Sequence, residues 1–209
     1  MVTLFDLFVK GGPMMWPLLI CSVLSLAFIL DRLYVLLRQP TEEGPLVAQL
    51  EEFLSSHRSE EALSLCEAAR GAIATVAAAG LRVWRTSREV LQETMERTGN
   101  EAVTSLERYL IIIRTVAEVA PLMGFLGTVT GMIKAFSAIA QAGLGKPEVV
   151  ASGISEALIT TASGLAIAIP TYIFYYFLVH RVEAITAAIE RIASFLLEKA
   201  AVERESHAP

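Results

Sequence analysis

The sequence has few of the residues from which disulfides, metal sites and catalytic centres are built. Its two cysteines are Cys21, in an apolar run, and Cys66, in a polar region, so we expect no disulfide between them. Its three histidines are far apart and give no metal-ligand spacing. It also has no glycine-rich phosphate loop and no serine nucleophile motif. We therefore predict that the chain is not an enzyme and uses no cofactor or metal.

Charge is scarce as well. Charged residues make up 19% of the 209 residues and the net charge is −5, which gives a nucleic-acid role no electrostatic support. In contrast, 54% of the residues are hydrophobic, and the mean hydropathy is +0.55. This composition is too apolar for an ordinary soluble domain and fits a polytopic membrane protein with a soluble portion.

Three apolar runs are long enough to cross a bilayer as helices. The first has 20 uncharged residues at 11–30. It ends in Asp31-Arg32 rather than in the small-residue cleavage site of a signal peptide, so we interpret it as a membrane anchor. We predict an all-α fold with three transmembrane helices, at 13–36, 115–140 and 149–179.

The segments between the spans are also predicted to be helical. Apolar residues at helical spacing predict short helices at 46–56, at 59–70 with Ser59 as the N-cap, and at 73–85. From Glu89 onward we expect one continuous helix of some 50 residues that enters the bilayer near Ile111. On it, Arg114 and Glu118 are four residues apart and can pair.

The third span is predicted to continue as an amphipathic helix to about Ala201, while 202–209 frays. Basic residues then set the topology: ten Lys or Arg lie between Asp31 and Arg114, four follow Val179, and the other segments have one each. By the positive-inside rule, the loop at 37–114 and the C-terminal helix and tail at 180–209 are cytoplasmic. The N-terminal segment at 1–12 and a hairpin at 141–148 are then on the outer side.

Glu156 is the one charged residue within the third span. An acid in a membrane marks an ion or proton path, or a buried pair. On a helix, Ser152, Thr160 and Ser163 lie within about 40° of one face with Glu156, so a polar stripe should face a bundle interior or water. Lys134, near the same end of the second span, is a possible ion-pair partner, in which case Glu156 is structural. The pattern leaves both roles open.

The second span has its own pattern of glycine and threonine. Gly127 and Gly131 form a GxxxG pair, which lets helix backbones approach closely. Thr128 and Thr130 either bond back to their own helix or line a polar path. The glycines that we expect to pack membrane helices together are Gly124, Gly127, Gly131, Gly153 and Gly164.

Together these features resemble the MotA/TolQ/ExbB proton-channel family. The matching stretches are 120–136 (APLMGFLGTVTGMIKAF) and 153–170 (GISEALITTASGLAIAIP), and looser likeness covers 11–32 and 61–81. Three spans rather than four resemble the ExbB/TolQ side of the family more than the MotA side.

The resemblance implies a homopentamer in the bacterial inner membrane, with the N-terminus periplasmic and the C-terminus cytoplasmic. It implies an ExbD-like or TolR-like single-span partner in a central pore, and a TonB-like or TolA-like protein beyond it. The proton motive force would then energise TonB-dependent outer-membrane transport, as in ExbB-like proteins. The alternatives are a TolQ-like subunit of the Tol–Pal envelope system and a non-conducting membrane scaffold.

The resemblance also implies a proton pathway at Glu156, Thr128 and Thr161. Helical periodicity instead favours Thr160, which is about 40° round from Glu156, whereas Thr161 is about 140° away. We predict Thr161 as the pore-lining residue because tilt and packing can rotate a face, and we keep Thr160 as an additional candidate.

Overall fold

The structure, a computed structural model, describes residues 4–142 and 147–206. Within these ranges the chain forms helices joined by turns and contains no strand, which confirms the all-α fold. Half of the predicted hairpin at 141–148, residues 143–146, lies outside the described residues. In chain order the helices are α1 (Leu4–Lys10), α2 (Met15–Leu37), α3 (Gly44–Ser55), α4 (Ser59–Ala68), α5 (Ala72–Arg82), α6 (Arg88–Glu107), α7 (Leu110–Ala142) and α8 (Pro147–Ser206).

Three helical stretches are long and apolar enough to cross a membrane. They are Met15–Leu37, Arg88–Ala140 and Val150–Arg204. The second stretch includes α6, a two-residue turn and α7, and its apolar part lies in α7. These stretches confirm the prediction of a polytopic membrane protein with three spanning helices.

The chain divides into two compact units. The first consists of Met1–Arg32 and Tyr109–Phe177, and the second of Leu33–Arg108 and Leu178–Pro209. The first unit contains the apolar parts of α2, α7 and α8. Its buried contacts include Leu18, Ala120 and Ala168, one from each of these helices. Small side chains allow membrane helices to pack closely where no hydrophobic driving force exists between them.

The second unit has a core of larger side chains that comes from α3, α4, α5, α6 and the end of α8. Its largest fully buried members include Leu50, Ile73, Val76, Leu91, Met95, Ile185, Ile192 and Leu196. The three short helices predicted from apolar spacing are therefore confirmed as α3, α4 and α5. Ser59 is the first residue of α4 rather than its N-cap, because Arg58 holds that position and makes no side-chain capping bond.

The predicted continuous helix from Glu89 into the membrane is wrong. Helix α6 ends at Glu107 and α7 begins at Leu110, and between them Tyr109 has a φ of 70°. A non-glycine residue rarely adopts this left-handed conformation. In the first unit the ring of Tyr109 packs on that of Phe28, at 5.0 Å between centroids, and under the guanidinium of Arg32, at 5.2 Å. The break between α6 and α7 therefore occurs where Tyr109 contacts α2, and the local sequence does not predict it.

The predicted fraying from Val202 is also wrong for the residues that the structure describes, because α8 is helical to Ser206. Two contacts within the second unit hold this last part. The indole Nε1 of Trp84 donates to Glu203 at 2.7 Å, and Arg204 donates to the carbonyl oxygen of Thr86 at 2.6 Å. Tertiary hydrogen bonds therefore stabilise a helix end that would fray if it were isolated.

Candidate functional site

Helices α7 and α8 approach each other at glycines. A methyl group on Gly131 would lie 2.7 Å from the carbonyl oxygen of Gly153, and one on Gly153 would lie 2.8 Å from that of Gly131. Further along, a methyl group on Gly164 would lie 2.6 Å from the carbonyl oxygen of Ala120. The two backbones are therefore in direct contact, an approach that only small residues permit.

Gly124 and Gly127 make room for two threonines of α8. A methyl group on Gly124 would lie 3.0 Å from the carbonyl oxygen of Thr160 and 3.1 Å from the Cα of Thr161. One on Gly127 would overlap the hydroxyl of Thr160. All the glycines of the predicted packing set thus lie in the contact between these two helices.

Two threonine hydroxyls meet across this contact. The Oγ1 atoms of Thr128 and Thr161 are 2.5 Å apart, and Thr161 donates to the carbonyl oxygen of Gly124 at 3.0 Å. The Thr128 hydroxyl is also 3.3 Å from the same carbonyl oxygen, so either hydroxyl can donate its one proton to the other while its partner donates to Gly124. The structure therefore brings Thr128 and Thr161 together.

The hydroxyls of Thr160 and Thr130 have a different arrangement. Thr160 is fully buried, and its hydroxyl donates to the carbonyl oxygens of Ala157, at 2.9 Å, and Glu156, at 3.1 Å. Thr130 donates to the carbonyl oxygen of Gly127 at 3.1 Å. Both bond back to their own helices, as threonines in apolar helices often do. Thr160 therefore fills the interface without an interhelical hydrogen bond to Thr128.

Glu156 lies beside this interface with 16% of its side chain exposed. The ammonium of Lys134 on α7 donates to its Oε1 at 2.5 Å, and the Lys134 side chain is half-exposed. The possible partner named from the sequence is therefore in contact with Glu156. Of the predicted polar stripe, Ser163 bonds back to the carbonyl oxygen of Ile159 at 2.8 Å, and Ser152 is exposed.

Sequence reasoning missed one residue of the site, Gly12. It lies in the turn between α1 and α2, with a φ of 69°, and a methyl group there would overlap Oε1 of Glu156. The signal available in the sequence was the Gly-Gly-Pro turn before the first apolar run, which marks a turn but does not say what faces it.

The arrangement combines a group that can take up and release a proton with groups that can relay hydrogen bonds. Glu156 supplies the carboxylate, and Thr128 and Thr161 supply hydroxyls that both donate and accept. The residues that the structure describes contain no group of three or more His, Cys, Asp or Glu side chains that could hold a metal ion.

Apolar helices long enough to span a bilayer, with a carboxylate and paired hydroxyls among them, define a polytopic helical membrane protein with a polar site in its membrane part. Residues 68–191 match the MotA/TolQ/ExbB proton channel family. This match covers more than half of the chain, and the chain belongs to that family. Glu156, Thr128, Thr161 and Lys134 lie within the matched range, whereas Gly12 lies before it.

Several curated proteins are similar to the chain. It is 35% identical over 174 residues to the putative biopolymer transport protein ExbB-like 1 of Synechocystis, covering 79% of this chain and 66% of the relative. It is 26% identical over 191 residues to the putative biopolymer transport protein ExbB homolog of Methanothermobacter thermautotrophicus, covering 91% and 68%. It is 45% identical over 86 residues to the Tol-Pal system protein TolQ of Haemophilus influenzae, covering 41% and 38%. The chain thus spans about two thirds or less of the length of these relatives.

Proposed function

We propose that this chain is the proton-channel subunit of an inner-membrane motor complex that uses the proton motive force to energise TonB-dependent outer-membrane transport. The observation that carries the proposal is the 2.5 Å contact between the Thr128 and Thr161 hydroxyls, five residues along α8 from the one acid of this span. Support also comes from membership of a proton-channel family and from relatives named as ExbB-like biopolymer transport proteins.

In this proposal each part of the site has a separate task. Glu156 takes up and releases protons, and a carboxylate in a membrane is retained for such functional reasons. The Thr128–Thr161 pair offers a short hydroxyl relay on the same pair of helices. The backbone contact at Gly131, Gly153 and Gly164 keeps α7 and α8 in one register, so the hydroxyl pair stays within hydrogen-bond distance.

The proposed assembly is a homopentamer around an ExbD-like or TolR-like single-span partner, which in turn acts on a TonB-like or TolA-like protein. Large apolar side chains exposed on α7 and α8 provide surfaces for lipid and for such neighbours. They include Leu122, Phe125, Leu158, Ile169 and Ile173.

The proposed location is the bacterial inner membrane, with 1–12 and 141–148 periplasmic and with 37–114 and 180–209 cytoplasmic. Spans at 13–36, 115–140 and 149–179 connect these parts. The support is the concentration of Lys and Arg in the two cytoplasmic segments. Cysteine accessibility at one site in each segment would test this topology.

A second candidate is a TolQ-like role in the Tol–Pal envelope system. It is favoured by the 45% identity to a TolQ protein, although that likeness covers only 41% of this chain. Co-expression with either an ExbD-like or a TolR-like partner from the same genome would separate the two candidates, because the chain should co-purify with its own partner.

The Lys134–Glu156 contact favours a third candidate, a non-conducting scaffold in which the acid is only an ion-pair partner. Proton flux into liposomes that contain the chain with its single-span partner decides between scaffold and channel. We expect Glu156→Gln to assemble normally and to abolish flux. Full flux in that variant would remove Glu156 from the pathway.

The threonine relay has a matched pair of variants for the same assay. Thr161→Val removes the interhelical hydroxyl contact, and we expect flux to fall by about fivefold, since a hydrogen bond is worth about 1 kcal/mol. Thr130→Val makes the same chemical change where the hydroxyl bonds only to its own helix. Equal losses in both variants would argue for a packing effect rather than a relay.

A further inference from the structure

The turn between α1 and α2 is shaped by Gly12, whose left-handed φ of 69° suits glycine and few other residues. The open side of this glycine faces Glu156. A methyl group at Gly12 would overlap Oε1 of that carboxylate, lie 2.7 Å from its Cδ and lie 3.3 Å from its Cγ. The glycine therefore leaves the space that the carboxylate fills.

The same carboxylate oxygen receives the ammonium of Lys134 from α7, at 2.5 Å. The elements packed around Glu156 carry other charged residues, namely Asp6, Lys10, Arg114, Glu118 and Glu148. Arg114 and Glu118 pair with each other at 2.8 Å, as their spacing predicts. Oε1 thus lies between a backbone turn on one side and a cation on the other.

We propose that Gly12 and Lys134 are positioning residues that together hold the Glu156 carboxylate in place. The proposal rests on the proposed function of Glu156 as the proton-binding group and adds the groups that fix the position of its carboxylate. Gly12 leaves the space that the carboxylate occupies, and Lys134 holds the carboxylate by its opposite charge. The N-terminal turn, outside the family-matched range, thereby becomes part of the site.

The physical basis is the low exposure of the carboxylate. A hydrogen bond between oppositely charged groups holds its two partners more firmly where little water competes for them. A side chain at position 12 would push the carboxylate out of its space and away from Lys134. Loss of either residue should therefore release the carboxylate from this space.

The test is labelling of Glu156 by a hydrophobic carbodiimide, which reacts with carboxyl groups that it can reach in apolar surroundings. The full chain is purified in detergent, labelled at fixed pH, and the modified peptide is quantified by mass spectrometry, with Glu156→Gln as the background. We expect Lys134→Gln, which removes the charged hydrogen bond, to raise the labelling rate by roughly tenfold, and Lys134→Arg to keep the original rate. Equal rates in Lys134→Gln and the original chain would overturn the role of Lys134.

Gly12→Ala should also raise the labelling rate. Its matched control is Gly71→Ala in the second unit, another glycine with positive φ, 119°, whose methyl group would lie 2.8 Å from Pro40 Cδ. Both changes introduce a strained, crowded alanine, but only one lies beside Glu156. An unchanged rate in Gly12→Ala, or the same rise in Gly71→Ala, would overturn the role of Gly12.

A second measurement covers the case in which Gly12→Ala is poorly stable. Glu156→Asp shortens the acid by one methylene and withdraws it from position 12, so the double variant should unfold at a higher temperature than the sum of the two single changes implies. Strict additivity would show that the two residues do not compete for space. Neither measurement uses proton flux, so failure of this inference and failure of the channel function give different results.

Discussion

Gly164→Ala tests whether the contact between the α7 and α8 backbones limits the size of the side chains at this interface. The new methyl group would lie 2.6 Å from the carbonyl oxygen of Ala120 and 3.1 Å from the Cα of Gly124. Neither neighbour is a side chain that can rotate away. Because ordinary contacts begin near 3.4 Å, the helices must separate by about 0.8 Å at this point.

Two opposing effects set the size of the change. Overpacking costs about 1–3 kcal/mol, while alanine is favoured over glycine within a helix by about 1 kcal/mol. The difference is a net destabilisation centred on about 1 kcal/mol, which corresponds to a fall in Tm of about 2–4 °C for a chain of this size. Thermal unfolding in detergent, followed by circular dichroism, measures it.

Gly99→Ala is the matched control. Gly99 is also inside a helix and buried, but a methyl group there would lie 3.4 Å from Ile189 Cγ2, an ordinary contact. Helix propensity should therefore dominate, and the variant should be more stable by about 0.5–1 kcal/mol. If Gly164→Ala were as stable as Gly99→Ala, the backbone contact would not limit the separation of the two helices.

Two further predictions concern the second unit. Burial raises the pKa of the Cys66 thiol to about 11, so its alkylation by a maleimide at pH 8 should be slow until denaturant is added, and the free energy of unfolding should fall as pH rises from about 9 toward about 11. The hydrogen-bonded Arg191 guanidinium lowers the pKa of Glu43, so stability from this pair is present above the ordinary carboxyl range and is lost as pH falls through the lowered value. Arg191→Gln should reduce this loss of unfolding free energy at low pH, measured by denaturant titration at several pH values. An unchanged loss would contradict the assignment.

The short helices of the second unit could be predicted because their signals are local. Apolar residues at helical spacing form the buried faces of α3, α4 and α5, and Gly71, with a φ of 119°, is the N-cap of α5. The turn at Tyr109 could not be predicted in this way. No glycine or proline marks it, and its left-handed backbone is accompanied by contacts with Phe28 and Arg32, which are distant in sequence.

The site also has features that the local sequence predicts and features that depend on residues distant in sequence. A helical wheel centred on Glu156 favours Thr160 over Thr161 as the pore-lining residue, because it assumes that the acid marks the centre of the packed face. In the structure that centre is a stripe of small residues, Gly153, Ala157, Thr160 and Gly164, all of which are buried. Spacings of four, three and four residues could have revealed the stripe, and Glu156 and Thr161 would then have been placed beside it.

The contact of Gly12 with Glu156 joins residues that are 144 positions apart, and no periodicity reports such a contact. The ion pair with Lys134 could be named in advance because both residues lie toward the same end of neighbouring spans. An ion pair can thus be predicted from the positions of two charged residues along their membrane helices. The space that a glycine leaves is visible only in the folded structure.

The hydrogen bond from Trp84 to Glu203 has a practical consequence for spectroscopy. The chain has two tryptophans, and they fall one in each compact unit. Trp84 is almost completely buried, whereas Trp16 is largely exposed and packs edge-on against Phe8 at 5.2 Å. Trp16→Phe therefore leaves one indole emitter, whose fluorescence reports the opening of the second unit without any attached dye. Trp84→Phe gives the complementary signal from the membrane helices.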